Sequence, residues 1–153
     1  MPHESPCPLC ADAGGELVWR DDRLRVILAD EALYPGFTRV VWNAHVAELG
    51  DLAGPDRAWL LEVVVCVERV MRAVFVPAKI NLASLGNQVP HLHWHLVARW
   101  PDDPHFPAPV WAVAAPQRVA AAGPRRDAIL RRLPAYRKAL HEALVALAGE
   151  PVG

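Results

Sequence analysis

The stretch His91-Leu92-His93-Trp94-His95-Leu96-Val97 decides how this chain reads. Polar and apolar residues alternate along it. In a β-strand successive side chains point to opposite faces, so His91, His93 and His95 share one face while Leu92, Trp94 and Leu96 share the other. The apolar face can bury and leave three imidazoles in a row, with same-face neighbours about 6.5–7 Å apart along the strand. That is close enough for adjacent rings to serve one phosphate or one metal ion. Seven histidines fall in 153 residues; scattered at random they would give such a triplet about one time in a hundred, so the pattern points to chemistry. Imidazole suits that role, since an unperturbed pKa near 6.5 leaves one nitrogen free to act as a nucleophile at neutral pH.

Working outward, Ile80 to Leu85 reads as a strand, joined to the histidine strand (His91 to Trp100) by a Gly86-Asn87-Gln88 turn. Ahead of it, Trp59 to Val76 places Leu60, Val63, Val64, Val67, Val70, Met71 and Val74 at spacings of three and four. This predicts one long helix, opened by Gly54-Pro55-Asp56 and stopped near Pro77. Leu17-Val18-Trp19, Leu24 to Leu28 and Thr38 to Trp42 read as three short strands, separated by Asp21-Asp22 and by Pro35-Gly36. After Pro101 come Pro104, Pro107, Pro109 and Pro116, read as an irregular arm; Tyr136, Leu140, Leu144 and Leu147 predict a C-terminal helix from Pro134 to Ala148. The expected architecture is α+β, an antiparallel sheet of about five strands under one long helix. Residues 1–100 would form the catalytic domain, with residues 101–153 as an arm and helix packed on it.

Composition narrows the partners. Sixteen basic and seventeen acidic side chains give a formal charge of −1, so no basic field is available to hold a nucleic-acid polymer. Charged residues interrupt every apolar run, which leaves no window for a membrane span. Met1 to Cys10 does not read as a secretory signal, and three cysteines suit a reducing compartment. The expectation is a cytoplasmic protein. His3, His105 and His141 read as solvent-facing, with an approach of His105 to the site from the arm as the alternative. Cys66, inside the long helix, reads as a small core residue.

His91 to Val97 resembles the signature of the histidine triad (HIT) family, and the resemblance extends over about residues 7 to 100. Trp19 to Asp30 looks like that family's strand, acidic turn and strand, and Pro35-Gly36-Phe37-Thr38-Arg39-Val40-Val41 resembles its Pro-Gly-His-Thr-Leu-Val-Ile strand. The resemblance implies a HIT-like fold and a hydrolase or transferase of purine-type nucleotides. In it, His93 attacks the α-phosphorus to form a nucleotidyl-histidine, with His91 and His95 on the same face. His95 would contact the phosphate and assist the leaving group. Gly86, Asn87 and Gln88 occupy the family's phosphate turn, with Gln88 at its Ser/Thr position. Asp30 would hold the ribose, Val26, Ile27 and Leu28 would line the base pocket, and either Asn81 or Asn87 stands for the family asparagine. Phe37 departs from the family histidine.

Cys7-Pro-Leu-Cys10 has the spacing of a zinc knuckle and needs two more ligands. The resemblance implies that His45 and His91 supply them, giving a closed structural zinc site, with no cofactor needed for the chemistry itself. It also implies a homodimer joined through the long helix and the strand that follows. Two other readings stay open: a metal-dependent hydrolase whose strand histidines hold a catalytic ion, and a nucleotide-binding regulator with little turnover.

Overall fold

The computed structural model describes residues 6–149, so His3 lies outside the described residues. A single turn of helix, α1 (Pro8–Ala11), carries the thiol pair and leads into β1 (Glu16–Arg20), β2 (Leu24–Leu28) and β3 (Thr38–Trp42). The long helix α2 (Gly54–Phe75) crosses to β4 (Lys79–Ala83) and β5 (His93–Arg99). The five strands form one antiparallel sheet in the order β1-β2-β3-β5-β4. This is the expected α+β arrangement.

Strand alternation sorts the sheet into two faces. Leu24, Val26, Leu28, Val40, Trp42, Ile80 and Leu96 point to the helix side, where they meet Leu60, Val63, Val64, Val67, Met71 and Phe75 of α2 in one buried cluster. Full burial of each such side chain stabilises the fold by about 1.5–3 kcal/mol. Helix α2 forms where expected: Pro55 opens it, Asp56 sits in its first turn, and its buried residues follow the predicted stripe. The Pro35-Gly36 turn is fitted against that helix's end. Gly36 has φ +82°, and a Cβ there would stand 2.9 Å from the Phe75 ring, so both conformation and space require glycine.

Three boundaries differ from the sequence expectation. Strand β5 begins at His93, not His91, because the Leu92 amide bonds the Val46 carbonyl in the loop after β3. Strand β4 ends at Ala83, not Leu85. The C-terminal helix, expected from Pro134, is α4 (Gly123–Gly149), preceded by the short α3 (Pro116–Ala121). Pro134 lies inside α4, where it removes one backbone hydrogen bond without ending the helix. Ile129 before it and Tyr136, Leu140 and Leu144 after it all bury in the α2 cluster, and that tertiary packing outweighs the local cost. The Tyr136 hydroxyl, fully enclosed, shares a 2.7 Å hydrogen bond with Thr38. No described helix is long and apolar enough to cross a membrane.

Candidate active site

The face of the sheet away from α2 carries the chemistry. The His93 and His95 rings lie edge to face with centroids 4.7 Å apart, and both residues are largely buried, at 8% and 6% exposure. The two neighbours differ in what holds them. His93 Nδ1–H donates to the His91 carbonyl oxygen at 2.5 Å. That bond assigns the proton to Nδ1 and leaves Nε2 with its lone pair, the form a nucleophile needs. His95 Nδ1 instead accepts from Arg39 Nε–H at 3.3 Å, so the neutral ring carries its proton on Nε2. Burial pushes the His95 pKa down to about 4, helped by the charges of His93 and Arg39. At neutral pH the ring is therefore an uncharged hydrogen-bond donor.

Four arginines share this face with the histidines, since Arg39 pairs with His95 across the β3–β5 ladder, Arg25 with Val41 across β2–β3, and Arg20, exposed on the edge strand, with Arg25 across β1–β2. Arg25 is committed to the N-terminal segment: its guanidinium donates to the Leu9, Asp12 and Ala13 carbonyls and to Asn43. Arg99, at the far end of β5, is clamped to Asp103 at 2.7 Å, to Asn81 at 2.7 Å and to the Ala108 carbonyl at 2.8 Å. This clamp folds the proline-rich arm back onto the sheet. Asp103 also accepts from the backbone amides of Trp100, His105 and Phe106. Burial alone would raise its pKa, but Arg99 and those amides hold it below the usual carboxylate value. The folded-back arm sets Trp111, half exposed, edge-on to His95 at 5.1 Å. Arg39 and Trp111 are contacts of the site that the sequence pattern did not single out.

The arm corrects the reading of one other histidine: His105 is half-buried, shares a 2.6 Å hydrogen bond with Tyr34 and stacks on its ring. His141, on α4, is exposed as expected, with Nδ1 bonding the Val18 carbonyl at 2.9 Å.

The expected substrate residues are distributed over two pockets. A pocket of about 270 Å³ is lined by His91, His93, Trp94, Ser84, Leu85 and Gly86, with the loop from Ala47 to Leu49 opposite. Gly86, at φ +78°, thus lines the same pocket as His93, while Asn87 and Gln88 are exposed. Asp30 and Leu28 line a larger pocket of about 470 Å³, bounded by Glu31, Pro35, Gly36 and, from α4, Arg126, Leu130 and Leu133. The larger cavity has no histidine in its lining, whereas the smaller one has His91 and His93. Val26 is wholly enclosed on the helix side, and Ile27 is enclosed against Leu9 and Val41, so neither offers surface to a base. Asn81 is engaged by Arg99.

The fourth feature is a cluster of Cys7, Cys10, His45 and His91, whose ligating atoms all lie within 4.8 Å of one another. His45 and His91 Nδ1 are 3.3 Å apart, and three sulfur–nitrogen separations, Cys7 to His91 and Cys10 to His45 and His91, are 3.4 to 3.5 Å. Tetrahedral zinc with its usual bond lengths would require about 3.4 Å and 3.6 Å respectively, so the donor set could hold such an ion. His91 Nε2–H donates to the Trp42 carbonyl at 2.6 Å, which turns Nδ1 toward the cluster.

Comparison with known proteins agrees with this arrangement. AP-4-A phosphorylases from two strains of Mycobacterium tuberculosis are 30% identical over 105 residues, 65% of this chain and 54% of theirs. The chain thus spans about half the length of these curated relatives. Among solved structures, a histidine triad protein from Bradyrhizobium japonicum is 26% identical, with a TM-score of 0.61 over 79% of this chain and 92% of its own. A histidine triad protein from Sinorhizobium meliloti is 27% identical, with a TM-score of 0.60 over 79% and 91%. A third from Marinobacter aquaeolei shares the fold, at 24% identity and a TM-score of 0.62 over 86% and 97%. The HIT domain matches residues 12–102, well over half of the 153. A chain with that match, that sheet and that pair of imidazoles is a member of the HIT domain family.

Proposed function

We propose that this protein cleaves nucleotides at the α-phosphate, by hydrolysis or transfer, through a covalent nucleotidyl intermediate on His93. Its substrates are nucleoside phosphoramidates or dinucleoside polyphosphates with a purine-type base. The observation that carries this reading is the 2.5 Å bond from His93 Nδ1–H to the His91 carbonyl, which leaves Nε2 as the free nucleophilic atom.

In the first step the Nε2 lone pair attacks the α-phosphorus, and the bond to the leaving group breaks with its electron pair going to the departing atom; a phosphate chain leaves as the anion, whereas an amine takes up a proton from solvent. The Nδ1 proton stays on the ring, bonded to the His91 carbonyl, and shares the positive charge of the phosphorylated imidazole. In the second step an oxygen of water or another acceptor attacks phosphorus, water releasing its proton to solvent, and the P–N pair returns to Nε2. His95 Nε2–H and the Gly86 turn donate to the phosphate oxygens. Asn87 and Gln88 would join them if the turn closes on substrate, and Asp30 and Leu28 would meet the ribose and base. Residue Asn81 acts indirectly, through Arg99.

Cys7, Cys10, His45 and His91 would hold a structural zinc ion that supplies no step of the chemistry but fixes the residue whose carbonyl aligns His93. Two copies would associate through α2 and the edge strand β4, where Leu61, Leu82 and Leu85 are exposed. The free thiols at Cys7, Cys10 and Cys66 suit the cytoplasm. The reading in which all three strand histidines hold a catalytic ion has less support, because the His91 ring is turned to the thiols and His93 Nδ1 to a carbonyl.

Mixing the protein with adenosine 5′-phosphoramidate and trapping it in acid should yield a mass increase of one adenylyl group on His93. Replacing His93 with Ala should abolish that adduct and turnover, with rates falling about 10⁴-fold or more, as expected for loss of a nucleophile. Retention of full turnover by the variant would refute the assignment.

A further inference from the structure

We propose that Arg39 and His95 form an anion subsite on the leaving-group side of the nucleophile, one that selects a phosphate chain as leaving group or a free phosphate as acceptor. The proposal rests on the reading of His93 as nucleophile and names the chemistry that arrives beside it.

Of the four arginines on this face, Arg20 stands exposed on the edge strand β1, three strands from the histidines, and two are consumed by the protein, Arg25 by the Leu9, Asp12 and Ala13 carbonyls and Asn43, and Arg99 by Asp103, Asn81 and the Ala108 carbonyl. Arg39 is not. Its Nε–H reaches His95, while its one carboxylate contact among the described residues is with Glu31 at a loose 3.6 Å. The side chain is one-quarter exposed, and its guanidinium lies 5.5 Å from the Phe37 ring centroid, so it is held in place while keeping donors to spare. A half-buried guanidinium with uncommitted N–H groups is suited to a phosphate, which it can bind in bidentate fashion.

The electrostatics favour a group that leaves as an anion. An amine must gain a proton as it departs. The His95 ring is neutral, accepts from a cation at Nδ1, and has no second proton to give. A phosphate departs with the bonding pair and no proton, and the adjacent guanidinium stabilises its developing charge. The same geometry serves the reverse sense. An incoming phosphate would occupy the vacated place, its oxygen pair forming the new P–O bond as the P–N pair returns to His93 Nε2, yielding a nucleoside diphosphate.

The test compares diadenosine tetraphosphate with adenosine 5′-phosphoramidate for the wild type, Arg39→Gln and Arg39→Lys. Losing a charge-assisted bond should lower the ratio of kcat/KM for tetraphosphate over phosphoramidate by about ten- to a hundredfold in Arg39→Gln, with partial recovery in Arg39→Lys. Adding inorganic phosphate separates the two sources. A loss confined to the tetraphosphate ratio identifies the leaving chain as the occupant, and a loss confined to phosphate-dependent ADP formation identifies the acceptor. An unchanged ratio together with unchanged ADP formation overturns the proposal. Calorimetric binding of inorganic tripolyphosphate decides independently. Should the wild type turn over neither substrate, the nucleophile assignment fails, and tripolyphosphate binding that is equal in wild type and Arg39→Gln overturns the subsite as well. Glu31→Gln, which removes the competing carboxylate, should tighten tripolyphosphate binding.

Discussion

The two ends of β5 are fastened by polar clusters of opposite character. At the Arg99 end the guanidinium and the Asp103 carboxylate are each 2% exposed, and every charge has its partner within the chain. At the His91 end Cys10 and His45 are exposed, Cys7 is half-buried, and the four donor atoms lie within 4.8 Å of one another. The first cluster is finished by protein alone, whereas the second is a donor set that could hold a metal ion. The pair His93 and His95 lies between them, so its placement depends on both fastenings.

Breaking the self-sufficient end should have the largest effect. Asp103→Ala leaves a buried guanidinium without its counter-ion and should destabilise the fold by about 3–5 kcal/mol, read from the urea midpoint. A loss below about 1 kcal/mol, the range of exposed pairs, would mean that the clamp is ornamental. A smaller loss should follow from stripping the other end. At free zinc a hundred times its dissociation constant, chelation should cost about 2.7 kcal/mol of stability, restored by adding zinc back. Cys7→Ser should show neither the loss nor the restoration; a wild type indifferent to chelator would make the two ends alike. A third effect is one of pH and lies between the two ends. His95 has a folded pKa near 4 against an ordinary 6.5. Above 6.5 the ring is neutral whether folded or not. Between 6.5 and 4 the unfolded chain binds a proton that the folded chain refuses, so stability declines as pH falls through that window and the decline stops below it. His95→Gln should flatten this part of the stability profile, and an identical slope in both proteins would contradict it.

Much of this was legible in local sequence. Thr38 to Trp42 is a strand with the bounds its β-branched and aromatic residues predict, and the α2 stripe follows its period. Of the four donors of the thiol cluster, Cys7 and Cys10 were nameable from their knuckle spacing, and His45 and His91 from the family resemblance, since nothing in their own spacing joins them to the thiols. What stayed hidden depended on partners far along the chain. Arg99 and Asp103, four apart, look like an exposed pair until the arm folds over them. Arg39 looks like a solvated strand position, because nothing near it in sequence reveals that His95 lies opposite. Pro134 looks like a helix start, because only the packing of Ile129 and Tyr136 on α2 carries the helix through it. That Asp30 and His93 line separate pockets is likewise a matter of tertiary placement.

One residue sits in both stories. The ring of His91 belongs to the thiol cluster, while its carbonyl oxygen holds the proton of His93. A bound ion would thus govern the aim of a nucleophile it never touches. An enzyme built this way would lose rate on chelation and regain it on repletion, mimicking a metallohydrolase in any inhibitor screen. Its kcat would track occupancy, yet exchanging one tetrahedral divalent ion for another would leave the pH dependence of the reaction unmoved.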